Sequence, residues 1–323
     1  MKKHVFVAAL MFGTYFVAQA QDGGKVLINT EYDEPYRNKW NVAAFAGLEI
    51  QAKSSGGLYY GASARYTLAK VATFYANLGL DMTSASKSGG ILKFDEELMG
   101  KLPSFKTIEL RGTFHFKDQE GQKTQKVSLG SDGRYEYSTN YTTKSRVVRG
   151  ITASLNFNSR AYVQNVDSTL ILDVRDQNGG NPGYIQGLAT GQNNMFIGLG
   201  FHMAEYTFYK GQFTGGAHGT TKTRRLKRMV NTNFELLFAP AIAVGDEAYL
   251  KDGGQLFTYN VENVEKKNLG FRITADVLNG KPGFYARVEM GTKPGIKAPL
   301  KTDSKIGKYL TNGYFAMSFG FGF

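Results

Sequence analysis

The chain has 323 residues, 39 of them basic and 27 acidic, which gives a formal net charge of +12. The absence of cysteine excludes disulfides, thiolate metal ligands, a cysteine nucleophile and a lipid anchor on cysteine. Glycine is abundant at 39 residues, proline is scarce at 7, and aromatic residues make up 13%. This composition favours a large antiparallel sheet over a helical enzyme, and the mean hydropathy of −0.31 argues against a bundle of membrane helices.

The first twenty residues have the features of a cleaved secretory signal. Lys2 and Lys3 precede an apolar stretch from Val5 to Val17, and Ala18-Gln19-Ala20 is a small-residue cleavage site. The 13 apolar residues would span only about 20 Å as a helix, against ~30 Å of hydrocarbon. Removing residues 1–20 takes away two lysines and lowers the net charge to +10. We therefore expect an exported protein without a helical anchor.

Residues 21–39 are polar and irregular, and we interpret them as a lead-in before the first strand. From Trp40 onward, large apolar side chains alternate with small or polar ones, which is the period of a β-strand. A soluble sandwich would show similar strands. The pattern predicts ten strands, which are Trp40–Gln51, Leu58–Leu68, Ala72–Met82, Phe105–Lys117, Val147–Asn158, Asn193–Met203, Met229–Val244, Lys267–Leu278, Phe284–Thr292 and Gly313–Phe323.

Two short turns and four long connections separate these strands. The chain reverses tightly at Ala69-Lys70 and at Asn279-Gly280-Lys281-Pro282, while residues 83–104, 159–192, 245–266 and 293–312 are long connections. Residues 118–146 and 204–228 are long segments on the side of the tight turns, and residues 123–129 with 134–141 could form a further hairpin around Asp132-Gly133. Residues 168–174 and 184–190 could form another. We expect about twelve strands, within a range of 10 to 14.

The alternating pattern assigns one set of charged residues to the inward face. The set has four basic and six acidic members with one histidine, namely Arg65, Arg111, Arg272, Arg287, Glu49, Asp81, Glu109, Glu235, Asp276, Glu289 and His115. Two interpretations stay open. Either these charges line a polar pore and set its solute preference, or ion pairs bridge a filled interior and leave no path for solute.

Neither hydrolysis nor metal binding has a strong candidate site in the sequence. His115 shares the inward face with Thr113 and Glu109, but no spacing identifies a catalytic triad, so we expect an interior histidine held by a carboxylate. His202 and His218 are sixteen residues apart without a third ligand at a recognisable spacing. The acidic runs at 95–97 and 173–176 are interpreted as solvated. We predict no metal site and no cofactor, and we do not expect an enzyme.

One strongly basic cluster lies between the predicted strands. Five of seven residues are cationic, namely Lys222, Arg224, Arg225, Lys227 and Arg228. Export makes contact with nucleic acid improbable. The cluster could pair with lipid phosphates or with an acidic partner protein, or it could be a solvated loop that continues into a strand.

The last strand carries the most specific signal in the chain. Phe315, Met317, Phe319, Phe321 and Phe323 alternate with small or polar residues, and eleven residues match the ~9–11 of one tilted membrane strand. This ending resembles the assembly signal of Gram-negative outer-membrane β-barrel proteins, and the processing site resembles those of the Bacteroidota. The resemblance implies an antiparallel up-and-down β-barrel at 40–323 that is integral to the outer membrane. It also implies contact with outer-membrane lipids, with lipopolysaccharide and with the barrel-assembly machinery.

Two functions from different classes follow from these observations. The first is a narrow or gated passage for small solutes or hydrophobic molecules, controlled by the inward arginines and their acids. The second is a non-conducting anchor whose outer loops bind a protein partner. A lipid-modifying hydrolase is a third and weaker hypothesis.

Overall fold

The computed structural model describes residues 29–31, 40–51, 57–68, 70–81, 96–131, 136–164, 172–215, 220–280, 283–297 and 312–323. The predicted signal at 1–20 and most of the lead-in at 21–39 lie outside these residues. All but one of the elements in this part of the chain are strands. They are β1 (Asn29–Glu31), β2 (Trp40–Gln51), β3 (Gly57–Leu68), β4 (Ala72–Asp81), the helix α1 (Glu96–Lys101), β5 (Lys106–Ser131), β6 (Glu136–Val163), β7 (Leu172–Arg175), β8 (Ala189–Gly215), β9 (Thr220–Asp252), β10 (Gln255–Val264), β11 (Lys266–Lys267), β12 (Leu269–Gly280), β13 (Gly283–Thr292), β14 (Gly295–Ile296) and β15 (Gly313–Gly322).

The sheet closes on itself into a ring. Among the described residues the ring contains ten strands, in the order β2-β3-β4-β5-β6-β8-β9-β12-β13-β15, and β15 pairs back onto β2. Every neighbouring pair is antiparallel and follows chain order, so the topology is up-and-down. Phe323 and Val42 complete the closure with two backbone hydrogen bonds of 2.7 and 3.2 Å. The ten strands predicted from the sequence are the ten strands of this ring.

The ring has two different ends. The terminal end holds Trp40, Phe323 and the short turns at 68–72 and 280–283, where Gly280 faces Gly283. The distal end holds the opposite ends of the same strands. At the terminal end two hairpins continue past the ring, because β5 pairs with β6 as far as Ser131 and Glu136, and β8 pairs with β9 as far as Gly215 and Thr220. We call these two hairpins the extension. The strand β1 pairs with the part of β8 that belongs to the extension.

The extension corrects one prediction about the strands. The possible hairpin of residues 123–129 with 134–141 is present from Glu136 onward, but it is the continuation of β5 and β6 and adds no separate strands. At ~3.3 Å per residue, residues 118–131 reach roughly 45 Å along the strand. The apolar alternation of the ring is absent here, since residues 119–123 are polar or charged apart from Gly121 and all of them are exposed to water.

The distal end carries a small cap with its own apolar core. β9 continues to Asp252, turns back at Gly253-Gly254 into β10, and β10 pairs with β7. Tyr162, Leu172, Val174, Leu188 and Ala248 are buried together under this hairpin. The sequence allowed a pairing of residues 168–174 with residues 184–190, and residues 168–171 lie outside the described part of the chain. In the structure β7 pairs with β10 instead, and Leu172 and Val174 are buried in the cap.

Candidate functional site: the charged interior of the ring

Alternate residues of each ring strand face the interior, and most of the predicted charged set lies there. Ten of the eleven side chains are buried, and only Asp81, at the distal end of β4, is half-buried. Across the part of the chain that the structure describes, seven basic and five acidic side chains are buried. The site is therefore a desolvated network that is close to electrical balance.

Glu109 is the centre of this network. Its carboxylate contacts Arg287 at 2.7 Å and Arg272 at 3.0 Å, and it also pairs with Arg111 two residues along β5. The three arginines come from β5, β12 and β13, so one acid of β5 links strands that are far apart in the ring. These contacts run across the interior and fill it.

Arg272 connects this centre to the neighbouring strand β9 and to β6. Glu235 on β9 faces Arg272 directly, and its Oε2 accepts bonds from Nη2 at 2.5 Å and from Nε at 2.8 Å. On β6, Asn156 accepts from Nη1 at 2.9 Å and Ser154 accepts from Nη2 at 3.2 Å. Every nitrogen of this buried guanidinium therefore has an acceptor, while Glu235 Oε1 has no hydrogen-bond partner among the described residues.

Tyr75 is the aromatic centre of the site. Three guanidinium carbons surround its ring, those of Arg287, Arg111 and Arg65, at 5.3, 5.5 and 5.6 Å from the centroid. The hydroxyl of Tyr75 also accepts a hydrogen bond from Arg287. Arg65 in turn pairs with Asp276 at 2.7 Å, and Asn231 donates to the same carboxylate oxygen at 2.9 Å.

A segment that turns inward after β13 lies at the distal end of the interior. Lys293 contacts Glu49 at 2.7 Å, and Arg160 reaches the same carboxylate at 3.3 Å. The backbone that follows is held inside by two bonds, from Asn194 to the Pro294 carbonyl at 3.2 Å and from the Ile296 N–H to Gln192 at 3.0 Å. Residues 293–297 therefore lie across the distal mouth of the interior.

The interior also contains an apolar and aromatic cluster. Phe45, Tyr206, Met229, Leu278 and Tyr285 pack into one buried cluster with Tyr59, Val148 and Ala204. Arg146 pairs with Asp118 at the boundary of the extension. The cluster adjoins the charged network, because Phe45 and Tyr59 line a cavity together with Glu49 and Glu109.

A small cavity lies within the charged part of the interior. It has a volume of about 30 Å³ and lies among Glu49, Glu109, Arg272, Arg287 and Lys293. A single water needs roughly 10–15 Å³ by this measure, so the cavity has room for about two. This part of the interior can hold water among fixed charges.

Arg160, Lys293 and Tyr75 belong to the network but were not among the predicted residues. The sequence pattern assigns Arg160 and Lys293 to long connections. Both nevertheless continue the alternation that places side chains inside the ring, Arg160 after Asn156 and Asn158, and Lys293 after Arg287 and Glu289. Extending the alternation past the last apolar residue would have identified them. Tyr75 carries no charge, and no sequence signal distinguishes it from other inward aromatics.

The two interior histidines are hydrogen-bonded to uncharged side chains. His115 Nε2 lies 3.0 Å from the Thr73 hydroxyl, and His202 Nδ1 lies 2.7 Å from Asn233. The expectation of a carboxylate partner was wrong, since the observed partner is an alcohol for one nitrogen of His115 and an amide for one nitrogen of His202. Within the described region Nδ1 of His115 has no hydrogen-bond partner, so no third group orients the ring as a triad requires.

The outward face of the ring is apolar and exposed. In β15, Phe315 and Met317 are half-exposed, and Phe319, Phe321 and Phe323 are exposed, while Tyr314, Ala316 and Ser318 are buried inside. The basic cluster lies at the start of β9 in the extension, at the terminal end, and Arg228 is exposed. No helix in the described chain is long and apolar enough to span a membrane. No group of three or more acidic or histidine side chains among these residues could hold a metal ion.

Comparison with known proteins adds little to this geometry. No family model and no curated protein matches the chain. Among solved structures, the Salmonella typhi OmpF complex with daunomycin is similar over 92% of this chain and 97% of that chain, with 8% sequence identity and a TM-score of 0.19. A TM-score this low carries no argument about the function of the chain.

Proposed function

We propose that this chain is an integral outer-membrane β-barrel with a closed interior, which serves as a membrane anchor. The observation that supports insertion is the apolar outer face of the ring. Each of its ten strands exposes at least two large apolar side chains, for example Leu199 at 60%, Phe201 at 64% and Leu236 at 62%. Monomeric soluble proteins rarely expose continuous apolar surface beyond a few hundred Å².

The width of this apolar band fits a membrane. On β5 the exposed apolar residues run from Ile108 to Phe116, and on β8 they run from Met195 to Met203. Each run covers nine residues, which agrees with the ~9–11 residues of a tilted membrane strand. Beyond Phe116 the exposed side chains of β5 become polar and charged. The band therefore has a defined edge, as a hydrocarbon layer requires.

The orientation is part of the proposal. In outer-membrane barrels short turns face the periplasm and long loops face outward. The turns at 68–72 and 280–283 would then place the terminal end and the extension in the periplasm, and the cap around β7 and β10 outside. Protein partners would meet the cap, and lipopolysaccharide would surround the distal side of the band.

The packed interior favours an anchor over a passage. Glu109, Glu235 and Glu289 each pair with two or more buried cations, and the cavity among them holds about 30 Å³. A passage would need these bonds to separate. A gated passage is the second candidate, because residues 293–297 lie at the distal mouth as one short segment. Opening it would require the backbone pairing of β14 with β11 and the hydrogen bonds to Asn194 and Gln192 to break together.

Planar-bilayer recording of the refolded protein tests both candidates. We expect heat-modifiable folding on a gel together with a silent bilayer. Stable, salt-dependent steps that change ion selectivity in the Arg111→Ala/Arg287→Ala variant would establish the passage instead. Lower thermal stability of this variant without any conductance would support the anchor. Failure of the wild-type protein to insert into vesicles would overturn the membrane proposal itself.

A further inference from the structure

A cationic patch lies at the edge of the apolar band, where the ring continues into the extension. A β-bulge between His115 and Lys117 changes the register of β5 at this point. After the bulge Lys117 faces Arg149 directly across the strand pair, and both side chains are exposed. Like charges at facing positions destabilise a strand pair, so this arrangement favours a bound anion.

A third cation lies next to this pair. Lys70 is exposed in the turn between β3 and β4. The carbonyl of the neighbouring Val71 accepts the N–H of His115 at 2.8 Å, which fastens the turn to β5 two residues before Lys117. One cation thus lies at each of three consecutive places around the ring, which are the β3–β4 turn, β5 and β6.

Acids that could neutralise the patch are engaged elsewhere. Among the described residues none of the three cations has an ion pair, while Asp118 pairs with Arg146 and Glu205 pairs with Lys123. The Asp118 position faces Val148, which is fully buried, so this residue belongs to the inner side of the sheet. The outer side of the sheet carries the uncompensated charge.

The surface next to the cations is apolar. Phe114 and Phe116 are 61% and 57% exposed on β5, and Ile151 and Met203 are 54% and 48% exposed on the next two strands. Met203 faces Arg149 directly. A free aqueous anion would use only the cations, whereas a ligand with an anionic head and an apolar tail would cover both parts of the surface.

We propose that Lys117, Arg149 and Lys70 bind the phosphate of an anionic phospholipid whose acyl chains lie on Phe114, Phe116, Ile151 and Met203. The proposal rests on membrane insertion at the apolar band. It assigns the lipid to the leaflet at the terminal end, where the phosphate level would follow the last exposed apolar residue of β5. Cations at a membrane surface attract anionic lipids, and a bridging phosphate would remove the like-charge repulsion.

Lipid retention in vesicles of defined composition tests this site. The protein and its variants are refolded into mixed phosphatidylcholine and phosphatidylglycerol vesicles, and co-purified lipids are counted by native mass spectrometry. We expect wild type to be enriched in phosphatidylglycerol, and Lys117→Gln/Arg149→Gln to lose this enrichment by a factor on the order of ten. The charge-preserving Lys117→Arg/Arg149→Lys variant should retain it.

Lys106→Gln is the matched control, because Lys106 is exposed on the same strand at the opposite edge of the band. This variant should keep the enrichment. Equal retention by wild type and the Gln variant in folded protein would overturn the lipid site and leave the membrane proposal intact. Displacement of the lipid by inorganic phosphate would overturn the assignment to a lipid. Absence of insertion by every variant and by wild type would overturn the proposed function, and this site with it.

Discussion

The strand β5 passes through two environments that follow different rules. In the ring, its even-numbered residues from Ile108 to Phe116 face outward and are apolar apart from Gly112, and the odd-numbered residues face the charged interior. In the extension, every side chain from Gln119 to Lys123 is exposed, whichever face of the sheet it occupies. The same backbone pairing with β6 continues through both. Pairing alone therefore builds the hairpin, and the alternation of side chains distinguishes the part that closes a ring.

The largest expected difference between the two regions concerns a buried acid. Glu109→Gln would leave Arg111, Arg272 and Arg287 with one carboxylate fewer in a desolvated interior. Removing one partner of a buried ion pair costs about 3–5 kcal/mol. We expect this loss in urea unfolding of the protein reconstituted in vesicles. Glu120→Gln, on the exposed part of the same strand, should change the unfolding free energy by less than ~0.5 kcal/mol, and equal effects would contradict the closed network.

The next expected difference concerns the outer face. Leu110→Arg would place a cation in the middle of the apolar band, where a lipid-facing arginine costs about 2–4 kcal/mol. Gln122→Arg, in the extension, should be close to neutral. Refolding yield in vesicles and the unfolding midpoint measure both variants. A Leu110→Arg variant as stable as Gln122→Arg would show that water, not hydrocarbon, covers this face.

The alternation that separates these two faces explains how much of the fold could be predicted. The ten ring strands follow from period-two patterns, and the position of Glu109, Arg272 and Arg287 on the inner face follows from the same parity. The pattern could not identify which basic side chain pairs with which acidic side chain, because the pairing across the interior depends on how the ring closes. Glu109 and Arg287 are 178 residues apart, and no local rule relates them.

The ends of the strands were predicted less well for a related physical reason. The expected strands stopped near Lys117 and Val147, where the apolar alternation stops, although the backbone ladder continues to Ser131 and Glu136. Hydrophobic periodicity reports a change of solvent around a strand and not the end of its hydrogen bonding. Arg160 and Lys293 were missed for the same reason, since both lie past the last apolar residue of their strands.

A third variant pair tests how closely the backbones approach in the two regions. A side chain at Gly150, in the ring part of β6, would place its Cβ 2.5 Å from the Phe114 carbonyl oxygen and 2.7 Å from Thr113. At Gly121, in the extension, the nearest atom would be Ser145 Oγ at 3.7 Å. We expect Gly150→Ala to cost about 1–3 kcal/mol through a forced backbone shift, and Gly121→Ala to cost less, in the same unfolding assay. Similar losses for both would contradict tighter packing in the ring.

The smallest expected effect concerns the ion pair of the extension. Lys123 and Glu205 are 2.5 Å apart, but their side chains are 45% and 33% exposed, so water and salt screen their attraction. Lys123→Ala should therefore reduce stability by only ~0.2–1 kcal/mol, and the difference should shrink as salt is added. Glu109, by contrast, is paired where salt does not reach, and the effect of its variant should persist at the same salt concentration. Measuring both variants across a salt series distinguishes the buried ion pairs of the ring from the exposed ion pair of the extension. Only the exposed pair should lose its contribution to the unfolding free energy as salt is added. A salt-sensitive Glu109 variant would show that ions enter the interior and would reopen the passage.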